Sequence, residues 1–260
     1  MKIRIVGLLL LSILIIGGFT AGFFTNSIKS ELTLQPGKMS ASPALSMGSA
    51  TNKQAQEVNR SPTTPTAILA QDTFQRANQS FWGTASDGRM WDGDANTMQT
   101  FSIVGHSGQV ANGQGTFNAV LGPAIANSEV LLSGSMSQFH ADMVNIGAVL
   151  RWSDGNNWYK ALLNGTHLIM LKRVKGATTQ LGSMPFAAQD GVAYTIRFRA
   201  VGATLFAKAW PSNTAEPVGW TIVVNDLSLT TGQSGIRVLL QTGSTVTINA
   251  FLTTAADSGL

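Results

Sequence analysis

Short apolar segments separated by tight-turn signals run through residues 67–260, and they constrain the fold more than any other feature. In residues 146–174, three apolar runs are separated by Asp154-Gly155 and Asn164-Gly165. Because Asn-Gly and Asp-Gly supply the positive φ that tight strand reversals need, this stretch predicts two successive hairpins. In residues 194–199, apolar and polar residues alternate, which indicates one buried and one solvated face.

The number and size of these segments predict the architecture. About ten to fourteen short strands fit between residues 67 and 260, and no segment keeps a helical period over a dozen residues. The sequence therefore predicts an all-β domain, a two-sheet antiparallel jelly-roll sandwich, in which we expect Trp82 and Trp91 to fill the core. A barrel or a propeller is the alternative, and the lack of a repeat of blade length disfavours the propeller.

The N-terminus carries an apolar run at residues 5–24, preceded by Lys2 and Arg4. As a helix this run would cross a hydrocarbon core of about 30 Å. Residues 1–24 are thus predicted to be an uncleaved membrane anchor or a cleaved signal peptide, and poor pairs of small residues at the cleavage positions favour the anchor. Either hypothesis places the rest of the chain outside the cell, tethered to the membrane or secreted.

Residues 25–66 are rich in Ser, Thr, Pro and Ala and lack a sustained apolar period. Such a segment cannot bury enough apolar surface to offset the cost of ordering, so we expect a disordered linker. The predicted organisation is therefore an anchor or signal (1–24), a linker (25–66) and one sandwich domain (67–260).

Charge and cysteine content exclude several classes of function. The net charge of +4 lies entirely in residues 1–66, whereas the body has eleven basic and eleven acidic residues. A neutral body lacks the electrostatic footprint of a nucleic-acid-binding protein. The absence of cysteine excludes disulfides, thiolate nucleophiles and zinc sites of the cysteine type. We expect a monomer with no nucleic-acid partner.

Three stretches together resemble a known superfamily: DTFQRANQSFWGTASDGRMW (72–91), GAVLRWSDGNNWYKALLNGTHLIMLKRV (147–174) and YTIRFRAVGATLFAKAWP (194–211). They resemble the concanavalin A-like, laminin G-like jelly rolls of bacterial surface proteins. The middle stretch carries most of the resemblance, since it has a strand ending in Arg-Trp, an Asp/Asn turn and then Trp-Tyr-Lys. The resemblance implies the fold and leaves the ligand open, because such sandwiches serve lectins, glucanases, adhesion modules and spacers.

The glucanase relatives raise the question of catalysis, which needs two carboxylates about 5–10 Å apart. Those relatives place them as E-x-D-x-x-E on one strand. Residues 67–260 contain only Glu129 and Glu216, neither with an acid two residues on, and we expect both to be solvated. The chain is therefore predicted not to be an enzyme, with a glycoside-active enzyme using atypical carboxylates as an alternative.

A metal hypothesis rests on WDGDAN (91–96), which places Asp92, Asp94 and Asn96 at alternate positions. An EF-hand is excluded, because Thr97 and Ile103 stand where that loop needs glycine and glutamate. Calcium held by oxygen ligands from separate loops remains a hypothesis, and no other cofactor is predicted. In the alternative, these Asx side chains cap their own turns.

Aromatic and amide residues of the hairpin at 152–160 predict a contact surface for sugars. Aromatic rings stack on the C–H faces of sugars, and amide or carboxylate groups bond their hydroxyls. Since strand neighbours face opposite ways, we expect Trp158 or Tyr159 to be exposed. The predicted ligand-binding residues are Trp152, Asp154, Asn156, Asn157, Trp158 and Tyr159.

Basic residues also fall on the predicted strands, at Arg151, Lys160, Arg173, Arg197 and Arg199. They form either a solvated outer face or a contact surface for an acidic polymer. The sequence as a whole favours an exported, non-catalytic module that binds a polysaccharide or cell-wall polymer. A structural or adhesion module with a protein partner is the alternative.

Overall fold

The computed structural model describes residues 67–140 and 143–257. The predicted anchor or signal segment (1–24) and the predicted linker (25–66) lie outside the described residues. Within the described part, no helix has the length and apolar character that crossing a membrane requires. The only helix described there is a 3₁₀ turn at Asp94–Asn96.

Sixteen strands make up the described part of the chain. In chain order they are β1 (Ile68–Asp72), β2 (Gln79–Ser80), β3 (Asp92–Gly93), β4 (Phe101–Val104), β5 (Ser107–Val110), β6 (Gly115–Ile125), β7 (Ser128–Met136), β8 (Ile146–Asp154), β9 (Asn157–Leu163), β10 (His167–Val174), β11 (Ala177–Pro185), β12 (Tyr194–Val201), β13 (Thr204–Pro211), β14 (Ile222–Asn225), β15 (Gly232–Leu240) and β16 (Val246–Ala255).

The strands form two antiparallel sheets. One has nine strands in the order β14-β13-β12-β7-β16-β5-β4-β2, with β1 also paired to β16. The other has seven strands in the order β11-β10-β9-β8-β15-β6-β3. The prediction of an all-β sandwich of two antiparallel sheets is therefore confirmed.

Alternation along the strands builds the core between the sheets. In β7, Val130 and Leu132 are buried inside, whereas Glu129 and Leu131 lie on the side that we call the outer face of the nine-stranded sheet. A buried aromatic group fills the core near β1 and β4. Its rings contact one another at centroid distances from 4.9 to 5.9 Å and belong to Phe74, Trp82, Trp91, Phe101 and Phe251. The expectation that Trp82 and Trp91 fill the core is confirmed.

A buried carboxylate at the end of β1 holds this region together. Asp72 is fully buried and accepts hydrogen bonds from the Trp91 indole at 2.7 Å and from the backbone N–H of Phe74 at 2.8 Å. Arg76 approaches it with both guanidinium nitrogens, at 2.8 and 3.0 Å. Because a buried charge needs such partners, the segment that follows β1 is fixed to the core without a disulfide.

We expect Asp72→Ala to lower the free energy of unfolding by about 3–5 kcal/mol, since it leaves the Arg76 charge and the Trp91 N–H without their partner. Urea unfolding of the full chain, followed by tryptophan fluorescence, measures this loss. Asp257→Ala, at an exposed carboxylate, is the control. A loss at Asp72 no larger than the control's would show that the carboxylate does not anchor this region.

Candidate ligand-binding face

A cleft of about 420 Å³ opens at the edge of the seven-stranded sheet, where β3 pairs with β6. It is lined by Arg89, Met90, Asp92, Val120, Leu121, Gly122, Pro123 and Gln233. The Gln233 amide donates to the carbonyl oxygen of Gly122 at 3.0 Å, which fixes it in the wall. A carboxylate, a guanidinium and an amide thus surround an apolar floor, and this arrangement suits a ligand that has both hydroxyls and apolar faces.

Trp152 extends the surface of the cleft across the sheet. It is the Cα partner of Gln233 on the neighbouring strand, so the two side chains lie side by side on the outer face. Trp152 is half-buried, and its indole nitrogen has no hydrogen-bond partner within the described ranges. The fold therefore brings two predicted residues that are far apart in sequence, Asp92 and Trp152, to one face.

The polar residues of the predicted contact hairpin mainly hold the hairpin itself. The Asp154 carboxylate accepts hydrogen bonds from the Asn156 backbone N–H at 2.6 Å and from the Asn157 amide at 3.0 and 3.1 Å. The Asn157 bonds, together with that of Asn156, lower the pKa of Asp154. Asn157 also accepts from the backbone N–H of Lys175 at 2.9 Å, which ties the turn to the next hairpin.

The expectation that either Trp158 or Tyr159 is exposed is wrong. The two rings do point to opposite faces of β9, yet their exposed fractions are 3% and 0%. Tyr159 lies in the core, and Trp158 on the outer face is covered by the Arg237 guanidinium, 4.7 Å from the ring centroid. Trp152 is therefore the aromatic residue of this hairpin with an accessible surface.

The Tyr159 hydroxyl closes a polar network at the end of the seven-stranded sheet. It donates to Asp226 at 2.6 Å and accepts from the backbone N–H of Leu229 at 3.0 Å. Burial and the bond to Asp226 raise the pKa of Tyr159 to about 12. Burial raises the pKa of Asp226, but hydrogen bonds from Lys172 and Tyr159 outweigh it, so that pKa lies below its usual range.

Two of the three residues in the predicted calcium site are engaged in the fold. Asp94 accepts from the Asn118 backbone N–H at 2.8 Å, and Asn96 accepts from the Gly83 backbone N–H at 2.6 Å. Asp92 accepts from the N–H of the next residue, Gly93, at 2.7 Å. Within the described ranges, no group of three or more His, Asp or Glu residues could hold a metal ion. These contacts favour turn capping, and the calcium site stays a prediction.

Of the two glutamates expected to be solvated, Glu216 is exposed and Glu129 is half-buried, and a shared cation joins them. Arg197 on β12 contacts both, at 2.7 Å to Glu216 and 3.4 Å to Glu129, and Lys208 on β13 lies 2.7 Å from Glu216. Burial raises the pKa of Glu129, against the opposing charges of Arg197 and Arg199. Glu129 and Arg197 line a groove of about 320 Å³ on the outer face of the nine-stranded sheet, together with Leu131, Leu252 and Thr254.

Two basic residues predicted on strands are buried. Arg151 is only 1% exposed, and its guanidinium donates to the carbonyl oxygens of Ala126, Leu229 and Gly202 at 2.7–2.9 Å. Lys160 is 3% exposed and donates to Asn145. Arg151 therefore fastens loops together, and it lies outside any outer-face surface.

No protein-family model and no curated protein matches the chain. Among solved structures, the chain is similar to the carbohydrate-binding module CBM66 from Bacillus subtilis, with 13% identity and a TM-score of 0.50 over 64% of this chain and 95% of that one. It is also similar to a xylan β-1,4-xylosidase from Bacillus halodurans C-125, with 13% identity and a TM-score of 0.54 over 71% of this chain and 38% of that one.

A third similar structure is the Bacteroides ovatus xyloglucan PUL GH43B, with 13% identity and a TM-score of 0.51 over 75% of this chain and 42% of that one. The chain thus spans about two fifths of the two longer proteins, and nearly the whole of the binding module. At this level of identity, the likeness establishes the fold alone.

The network around Asp226 predicts a pH dependence of stability. Because the folded-state pKa lies below the unfolded value of about 3.9, the stabilisation is present above about pH 5 and is lost as the pH falls through the folded-state pKa. We expect Asp226→Asn to lower the free energy of unfolding at pH 7 by about 1–2 kcal/mol and to make its decline towards pH 2 shallower.

Urea unfolding of the full chain at a series of pH values measures both effects. Asp257→Asn makes the same change of charge at an exposed position and is the control. Identical pH profiles for the two variants would contradict the role of Asp226.

Proposed function

We propose that this chain is an exported, non-catalytic module that binds a glycan or cell-wall polymer on the outer face of its seven-stranded sheet. One observation carries the proposal: Asp92, Arg89 and Gln233 surround an open cleft beside the accessible ring of Trp152. Sugars combine hydroxyl groups with apolar C–H faces, so a binding surface needs polar groups close to an aromatic ring.

The likeness in fold supports the proposal. The chain covers 95% of CBM66, whose name describes a carbohydrate-binding module. Within the sandwich class, we place the domain with the concanavalin A-like, laminin G-like jelly rolls, on the three stretches that resemble them. The longer xylosidase is matched over 38% of its length, and its activity is not part of this proposal.

The arrangement of the glutamates supports a non-catalytic role. Glycoside hydrolysis by two carboxylates requires one of them to act as an acid while the other stays ionised. Glu129 and Glu216 instead share Arg197 as a common ion-pair partner, and Glu216 also pairs with Lys208. Glu129 lies on the nine-stranded sheet and Glu216 in the loop after β13, whereas the cleft lies on the seven-stranded sheet.

The proposed location follows from the N-terminus. An apolar segment at 1–24 would tether the chain to the membrane, or direct its secretion if it is cleaved. A flexible linker at 25–66 would then hold the sandwich away from the membrane, where it could reach polymers of the cell wall. We propose that the domain acts there as a monomer.

We expect the full chain, kept soluble in a nonionic detergent, to be retained by at least one polysaccharide in a panel of immobilised polymers. Trp152→Ala or Asp92→Asn should weaken that retention about tenfold, since each removes roughly 1–1.5 kcal/mol of stacking or hydrogen bonding. Trp220→Ala is the matched control, because Trp220 is a half-exposed ring that packs on Phe206 of the nine-stranded sheet.

Three results would overturn parts of this proposal. Loss of retention in Trp220→Ala alone would move the binding surface to the nine-stranded sheet. Retention by no polymer would favour the adhesion or structural alternative. Hydrolysis of a polymer by the wild type, abolished in Glu129→Gln, would establish the glycoside-active alternative.

The same retention assay tests the calcium hypothesis. Repeating it with calcium and then with a chelator should give equal retention if Asp92, Asp94 and Asn96 serve as turn caps and ligand contacts. A loss of retention that only the chelator causes would instead support a calcium site at these residues.

A further inference from the structure

Three basic side chains lie around Trp158 on the outer side of the seven-stranded sheet, of which Arg173 and Arg237 are half-buried and Lys160 is buried. Arg173 on β10 is the Cα partner of Trp158, and Lys160 lies two residues along β9. Arg237 on β15 reaches over the same ring, with its guanidinium carbon 4.7 Å from the centroid. Arg173 and Arg237 thus place two guanidinium groups on the same face as Trp152 and the cleft, whereas Lys160 is buried.

None of these three basic side chains forms an ion pair within residues 67–140 and 143–257, although the charge of Asp94 acts on Arg237. The ion pairs found there involve Arg76, Arg89, Lys172, Arg197 and Lys208. Arg237 donates to the Asn118 side chain, Arg173 to Thr178 at 3.2 Å and Lys160 to Asn145, all of which are neutral groups. The hydrogen bonds of these side chains within the fold are therefore made to neutral acceptors.

The acidic residues of the same face are held by other groups. Asp94 bonds to Asn118, and its charge partly opposes the lowering of the pKa of Arg237, while Asp154 is enclosed in its own turn. Asp92 lies in the cleft, whose lining also includes Arg89. Among the described residues, none of these carboxylates lies within ion-pair distance of Arg173 or Arg237.

The cations also influence one another. Burial and the neighbouring charge of Arg173 lower the pKa of Arg237 to about 10, so its guanidinium stays protonated at neutral pH. Burial, followed by the charge of Arg237, lowers the pKa of Lys160 well below its usual value. Bringing an anion to this surface would relieve that mutual repulsion, whereas a neutral ligand would leave it in place.

The local packing pre-organises Arg237 and Lys160. Gly147 on β8 provides space for Lys160, since a Cβ at that position would lie 2.4 Å from its Cε atom. The Trp158 ring holds the Arg237 guanidinium by a cation–π contact, which leaves its planar donors oriented for a carboxylate or phosphate oxygen.

The outer face of the nine-stranded sheet differs in the ion pairing of its cationic side chains. There, Arg197 and Lys208 are paired with Glu129 and Glu216, and the charge of Arg199 also acts on Glu129. From this contrast we infer that the seven-stranded face recognises an acidic glycan, whose uronate carboxylates or phosphodiesters contact Arg237 and Arg173 while its sugar rings contact Trp152. This inference rests on the proposed glycan-binding function and adds the chemical class of the ligand.

The test compares polygalacturonate with its fully methyl-esterified form, which has the same backbone without the charge. We expect the full chain in nonionic detergent to bind the acid form at least about tenfold more tightly, with an affinity that falls as salt rises. A poly(glycerol phosphate) arm shows whether phosphodiesters are preferred to carboxylates. Tighter binding of either polymer than of the ester supports the inference.

Matched variants locate the site. Arg173→Met and Arg237→Met keep an unbranched apolar side chain and remove one charge each, and we expect about a five- to tenfold loss of affinity for the acid form. Arg199→Met makes the same change on the nine-stranded sheet, outside its ion pairs, and should leave the affinity unchanged. If Arg237→Met fails to fold because Trp158 loses its cover, which circular dichroism would show, Arg173→Met decides the test alone.

Each contrary outcome has a definite meaning. Equal, salt-independent binding of the acid and the ester overturns the acidic ligand and leaves the proposed glycan binding intact. An equal loss in Arg199→Met shows attraction by overall charge and overturns the site. Equal competition by single-stranded DNA would overturn recognition of a glycan. Binding of no polymer, neutral or acidic, overturns both this inference and the proposed function.

Discussion

The alternation of side chains along each strand is the constraint on which the rest of this structure depends. Every second residue of β7 and β12 enters the shared core, so the intervening residues are committed to an outer face. In a two-sheet sandwich this produces one core and two separate outer faces. The same rule that buries Val130 and Phe198 therefore places Glu129 beside Arg199 on the nine-stranded sheet.

With no cysteine in the chain, buried polar side chains connect its loops. Asp72 fixes the segment after β1, and Arg151 joins three loops through their carbonyl oxygens. Asp226 and Tyr159 do the same for the loop before β15. Each of these groups is expensive to bury unless its hydrogen bonds are made, so each also specifies where its loop must lie.

The sequence was sufficient to predict the sheets and the turns, because both depend on local patterns. Asn164-Gly165 does join two paired strands, and alternation correctly assigned Trp158 and Tyr159 to opposite faces. Alternation could not show that both of these side chains are buried. The residue that covers Trp158 is Arg237, which is distant in sequence and reaches the ring only because β15 pairs with β8.

The sequence predicted only part of the candidate face, because the rest depends on pairing between distant strands. Asp92 and Trp152 belong to two unrelated local motifs. They reach one face only because β3 pairs with β6, β6 with β15 and β15 with β8. Arg89 and Gln233 carry no local signal, since neither belongs to a recognisable motif. The ion pairs of Arg197 with Glu129 and Glu216 likewise depend on the pairing of distant strands and on the loop after β13.

The difference in charge between the two outer faces follows from how they treat their long cationic side chains. Arg197 and Lys208 have carboxylates within contact distance, so their charges are compensated inside the fold. Arg173 and Arg237 contact hydroxyl, amide and aromatic groups, which orient a cation without neutralising it. A fold gains little stability from uncompensated charges held close together, and such a cluster is better explained by a ligand than by packing. Alternation thus supplies two outer faces, and the proposed anion would bind to the seven-stranded one, against Arg173 and Arg237.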